Sequence, residues 1–222
     1  MLTDSFDPRT PAKINPAPSP DALPVDACIL TFSWKIADYV LAAYPCRQIG
    51  WSRSACGDTP IYCLDRAGKR FAFFLSYIGA HACTAMIEET RAVFRTEKYV
   101  LFGGAGCLDK EIARGKVMVP TAAYRDEGTS YHYAPAADYI DLPGARAVAA
   151  FCEESGLPYA LGKTWTTDAI FRETEGNFAA RKAEGCICVE MECAGVQAMC
   201  AFRGLQLYAF FTSGDLLDAP KW

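Results

Sequence analysis

Apolar residues change their spacing along this chain in a regular way. Residues 27–31 form a short apolar run of strand length, and 36–44 read as a helix stopped by Pro45. Residues 61–64 and 70–75 read as two strands joined across 65–69, with Gly68 in the turn. Cys83, Met86, Ile87, Thr90 and Phe94 fall on one helical face, which predicts an amphipathic helix over 81–94. A strand over 99–102 runs into the Gly-rich turn Gly103-Gly104-Ala105-Gly106. Further strands are expected at 117–123, 159–164 and 205–212. Helices are expected at 144–155, closed by Gly156 and Pro158, at 178–184, ending at Gly185, and at 191–203.

Strands alternating with helices predict a single α/β domain, with a mixed, largely parallel central sheet flanked by helices. Residues 1–26 stand apart. Pro8, Pro11, Pro16, Pro18, Pro20 and Pro24 forbid a helix or a central strand, so an extended arm is expected, leading into the domain or packing on a neighbour. The domain itself is expected over 27–222. In such sheets ligands sit beyond the carboxyl ends of the strands. Three segments leave a strand with unusual chemistry: 103–106, Cys188-Val189-Glu190-Met191-Glu192, and Thr212-Ser213-Gly214-Asp215.

Charge narrows the partners. The chain carries 22 basic and 26 acidic residues, a net charge of −4, with no basic stripe, so nucleic acid is not an expected partner. No apolar run approaches the roughly 20 residues that span a bilayer, and the polar, acidic first ten residues are unlike a signal peptide. A cytoplasmic location follows as the expectation. Eleven cysteines then read as thiols, mostly small core residues, since the count is odd and no CxxC pair occurs. Only His81 and His132 are available as imidazoles, so no metal site is expected.

Five pieces in order resemble the nucleoside phosphorylase superfamily, which covers purine nucleoside phosphorylases, uridine phosphorylases and methylthioadenosine/adenosylhomocysteine nucleosidases. They are Phe102 to Gly106, Arg125-Asp126-Glu127-Gly128-Thr129-Ser130-Tyr131-His132-Tyr133, Thr166-Thr167-Asp168, Val189-Glu190-Met191-Glu192 and Ser213-Gly214-Asp215. The resemblance covers about residues 25 to 218. It implies a small-molecule nucleoside as ligand and a homo-oligomer, a dimer or a trimer of dimers. It implies that Met191 packs on the ribose and that Glu192, with Glu190, accepts hydrogen bonds from the sugar hydroxyls. A carboxylate suits that task because it is acceptor-only and can take two donors at once. Asp215 matches the acid that protonates or binds the purine ring, with Asp218 as a competitor. The implied base contacts are Ala105, Gly106, Asp168, Ile170, Phe171 and Arg172. Arg172 reads equally as a surface partner of Glu173 or Glu175.

The nucleophile side departs from the pattern. The family's phosphate loop falls on Phe32-Ser33-Trp34-Lys35-Ile36, its strand Arg on Leu101 and its turn hydroxyl on Gly104. Lys35, Arg47 and the Gly104 backbone are the substitutes on offer. The base-reading Gln and Arg of uridine enzymes fall on Thr174 and Gly176, which favours purines. The expected activity is therefore phosphorolysis of purine ribonucleosides to base and ribose 1-phosphate, with inorganic phosphate as co-substrate and no other cofactor. The alternatives are a hydrolytic nucleosidase using water and a non-catalytic nucleoside-binding relative. The resemblance also implies one more helix after the Asp215 loop, whereas the sequence stops at Trp222.

Overall fold

A computed structural model describes residues 1–219 apart from 17, 56 and 114. In chain order the elements are β1 (Leu23–Pro24), β2 (Ala27–Thr31), α1 (Trp34–Ala43), β3 (Cys46–Ser54), β4 (Gly57–Arg66), β5 (Lys69–Leu75), α2 (Ala80–Thr90), β6 (Phe94–Arg95), β7 (Lys98–Cys107) and α3 (Lys110–Ala113). They continue with β8 (Val117–Asp126), α4 (Ser130–Tyr133), β9 (Tyr139–Asp141), α5 (Ala145–Glu154), β10 (Tyr159–Thr167), α6 (Glu175–Ala183), β11 (Cys186–Glu190), α7 (Cys193–Phe202) and β12 (Gln206–Leu216).

The main sheet runs β11-β10-β8-β12-β7-β2-β5-β4-β3, with β9 on β8. Parallel pairs join β11, β10 and β8, and join β12, β7, β2 and β5. β11 also pairs antiparallel with β7 through Cys188 opposite Cys107 and Val189 opposite Gly106. Strands β11, β10, β8, β12 and β7 thereby close into a ring. This closure brings the ends of β7, β11 and β12 together at one rim.

Alternation along each strand divides the core between two faces. On β5, Phe74 packs into the main cluster with Ile87, Tyr99, Leu101 and Met199, while Phe73 packs with Ala37 of α1. On β8, Met118 joins the main cluster and Val119 meets Val148 and Cys152 of α5. Helices therefore cover both faces, as the sequence pattern predicts.

One local expectation is corrected. Residues 103–106 are not a turn. They continue β7, because β12 pairs with them from Gly103 opposite Phe211 to Gly106 opposite Asp215. The glycines serve close approach instead: a Cβ on Gly106 would lie 2.3 Å from Leu217 and 2.9 Å from Val189. Strand β3 escaped the sequence reading because it is an edge strand with mostly polar, exposed positions. Strand β11 is expected before the 188–192 segment but without bounds, because five buried residues in a row show no alternation.

The arm at 1–26 lies on its own domain at several points. Phe6 meets Phe202 edge-on, and Leu23–Pro24 pairs with β6. No helix among the described residues is long and apolar enough to cross a membrane. The ten described cysteines are free, and all but Cys46 are buried. Cys56 and the segment at Trp222 lie outside the described residues.

Candidate active site

At the rim where β7, β11 and β12 meet lies a cavity of about 610 Å³. Gly103 to Gly106 of β7 form one wall, Val189 to Glu192 a second, and Gly214 to Leu217 a third. Ile170, Phe171, Glu173, Glu175 and Phe178 add a further part of the lining, and Phe32, Ile78, Phe211 and Ala219 also border it. Thus Gly104, Ala105, Gly106, Ile170, Phe171, Glu190, Met191, Glu192 and Asp215, all selected from the sequence, converge here. Phe171 stands at the mouth, 91% exposed.

The two glutamates after β11 have different surroundings. Glu190 accepts from the Thr166 hydroxyl (2.5 Å), the Thr164 hydroxyl (3.2 Å), and the N–H groups of Glu192 (2.8 Å) and Cys193 (2.7 Å). Its oxygens are thus committed to protein donors at the N-terminus of α7, where a carboxylate also meets the helix dipole favourably. Burial pushes its carboxyl up in pKa, and those four donors oppose the rise. Glu192 accepts from the Gly79 N–H at 2.6 Å and from the Met191 backbone N–H. Gly79 has φ +102°, a conformation that glycine adopts at no steric cost. Burial, followed by the charge of Glu190, raises the Glu192 carboxyl. A buried carboxylate with spare acceptor capacity in a cavity wall is equipped to receive hydroxyl donors.

Asp215 sits opposite Gly106 in the β12–β7 ladder, with Oδ1 3.5 Å from where a Gly106 Cβ would stand. The competing Asp218 is drawn towards Lys182 (3.9 Å), which also pairs with Asp109 (3.5 Å). Asp218 does not line the cavity.

Four sequence candidates stand elsewhere. Asp168 accepts from the Gly128 N–H at 3.0 Å and lines a separate, shallow depression together with His81 and His132. Arg172 is exposed on the turn Ile170–Arg172. Lys35 is exposed in the first turn of α1. Arg47 is exposed on β3, opposite Cys63. The Arg125 segment is an architectural corner. Arg125 donates to Ser130 Oγ (2.8 Å) and to the Pro135 carbonyl (2.6 Å), and lies over the Tyr131 ring. Glu127 accepts from the Ser130 N–H, and Asp126 from the Trp165 indole at 2.9 Å.

Sequence reasoning missed Glu173, Glu175 and Phe178 as lining residues. The available signal was the apolar set Ile170, Phe171 and Phe178 within an otherwise polar stretch, because apolar side chains in a loop tend to cover something. With them, the cavity's charged lining is Glu173, Glu175, Glu190, Glu192 and Asp215. Among the described residues no Lys, Arg or His lines it.

Comparison with known proteins places the chain in a family. The chain is 26% identical over 183 residues to a DeoD-type purine nucleoside phosphorylase of Colwellia psychrerythraea, covering 81% of this chain and 76% of that protein. A DeoD-type purine nucleoside phosphorylase of an Exiguobacterium strain is 23% identical over 68% of this chain and 65% of its own length. The uridine phosphorylase of Salmonella typhimurium is 26% identical over 63% of this chain and 61% of its own length. The chain thus spans less than two thirds of the latter two. Residues 37–221 match the family model of the phosphorylase superfamily, and the chain belongs to that family.

Proposed function

We propose that the cavity binds a ribonucleoside and cleaves its N-glycosidic bond, with purine nucleosides favoured. The observation that carries this reading is one cavity of nucleoside size holding both the Glu192 carboxyl and Asp215 between apolar walls. Glu192 takes the sugar hydroxyls, with Met191 against the ribose. Glu190 supports Glu192 through the N–H it accepts. Ile170, Phe171 and Phe178 offer the base an apolar surface, and Ala105 and Gly106 let it approach the β7 backbone. Asp215 meets the polar edge of a purine. Phosphate is the acceptor that the family supports, giving free base and ribose 1-phosphate.

One observation favours water as the acceptor. Five carboxyl groups and no described cation line the cavity, so a phosphate dianion would meet repulsion rather than donors. Lys35 and Arg47 do not reach the cavity in their own subunit. Release of free base from adenosine, inosine, methylthioadenosine and uridine, with and without phosphate, tests both readings. Phosphate-dependent release supports phosphorolysis, and phosphate-independent release supports hydrolysis. Saturable binding without turnover would refute catalysis. Faster release from uridine than from the three purine nucleosides would refute the base preference.

We also infer a homo-oligomer built from two-fold dimers, working in the reducing cytoplasm that free buried thiols suit. Trp34 (68% exposed) and Tyr39 (66%) on α1, with Trp51 (45%) on β3, put large aromatics on the surface. A second copy would cover them. Light scattering is expected to give a dimer or a multiple of it. A monomer throughout the micromolar range would contradict the inference.

A further inference from the structure

Glu173 stands between the turn Ile170–Arg172 and α6, and it lines the cavity with Asp215 from the end of β12. Among the described residues its carboxyl accepts no hydrogen bond and meets no cation. Phe171, Phe178 and Leu217 line the same cavity. Among the described residues, the other charged groups lining the cavity are Asp215 from β12, Glu175 from α6, Glu190 from β11 and Glu192 before α7, all acidic. Arg172, next to it in the chain, is exposed and outside the cavity. Burial, and then the charge of Asp215, push the Glu173 carboxyl up to about 7. Two neighbouring carboxyls in one enclosure favour holding one proton between them. In a cavity lined by apolar side chains, and with no donor among the described residues, Glu173 is the natural holder.

We propose that Glu173 is the catalytic acid that protonates the leaving base, with Asp215 as the neighbouring charge that keeps this proton in place. The assignment rests on the nucleoside-cleaving reading and deepens it. In the step, the bond from C1′ to the base nitrogen breaks and its electron pair passes to the base. The Glu173 carboxyl proton moves to a base ring nitrogen, so the base leaves neutral and Glu173 becomes a carboxylate. An oxygen of water or of hydrogen phosphate bonds to C1′. The proton that this nucleophile gives up restores the Glu173 carboxyl.

The test compares inosine with N7-methylinosine, whose base leaves without taking up a proton. Glu173→Gln is expected to lower kcat on inosine by about 10²-fold or more. Its loss on N7-methylinosine should be at least about tenfold smaller, which also shows that the variant is folded. The alkaline limb of the wild-type kcat/KM profile, expected near pH 7, should vanish in Glu173→Gln. In Asp215→Asn it should move to lower pH, because removing the facing negative charge lets Glu173 ionise earlier. Equal losses on the two nucleosides, or an unchanged alkaline limb in Glu173→Gln, would overturn the assignment. A wild-type protein that releases base from neither substrate would refute the nucleoside reading itself, and this role with it.

Discussion

Glu192→Gln is expected to lower kcat/KM for every accepted ribonucleoside by at least about 10²-fold, the equivalent of about 2.7 kcal/mol of transition-state stabilisation. A charged acceptor that receives sugar hydroxyls contributes about 1.5–3 kcal/mol per bond, and the neutral amide retains only part of that. The amide also turns an NH₂ towards the cavity, where the hydroxyls bring donors of their own. The same variant should be more stable than the parent at high pH. Burial and the Glu190 charge raise the Glu192 carboxyl in the folded state above its unfolded value. Such a group supports folding fully below its unfolded pKa and loses that contribution as pH rises through the folded value. Gln carries no charge to bury, and its oxygen can still accept from the Gly79 N–H. Melting temperatures of parent and variant should therefore converge near pH 4 and separate above neutrality, with the variant higher. Parental kinetics in Glu192→Gln would remove the ribose assignment, and a variant less stable at pH 8 would remove the electrostatic account.

Much of the fold was legible because its signals are local. The 27–31 run appears as β2 with the same bounds, and the period-3.6 patterns at 144–155 and 191–203 appear as α5 and α7 with slightly shifted ends. The features missed depend on partners distant in sequence. Residues 103–106 look like a turn in isolation and become strand only because β12 and β11 lie against them. β11 has no period to fix its bounds, and β3 has too little burial to show one.

The site divides along the same line. Met191, Glu192 and Asp215 were found through short contiguous motifs, and the structure brings them to one cavity. Asp168 belongs to an equally recognisable motif, yet its carboxylate is engaged by the Gly128 N–H beside another depression. Contiguity shows that a motif is present, but it does not show where each side chain points. Glu173 carries no motif, and beside Arg172 it reads as half of a surface pair. Only the folded loop reveals it in an acidic cavity with no described cation. That every charged lining residue among those described is acidic is likewise invisible in a chain whose net charge is only −4.

Glu190 separates support from chemistry, and its removal is expected to have the largest effect on stability. Its carboxylate joins three elements: Thr164 and Thr166 on β10, its own strand β11, and the first N–H groups at the start of α7. Thr166 Oγ1 in turn accepts from the Ala194 N–H at 3.1 Å, extending the network into α7. Glu190→Ala leaves two backbone N–H groups and two hydroxyl donors in a buried space without their acceptor. Each unsatisfied donor costs about 1–3 kcal/mol, and partial rearrangement of the threonine hydroxyls reduces the total to about 3–5 kcal/mol. For a chain of this length that lowers the melting temperature by about 10 °C or more. Glu190→Gln should cost less, because its amide oxygen still accepts while its NH₂ faces donors. If Glu190 instead contacts ribose directly, Glu190→Gln would cut kcat/KM as deeply as Glu192→Gln and leave the melting temperature near that of the parent. Measuring both quantities on both variants decides between a strut beneath the ribose acceptor and a second acceptor.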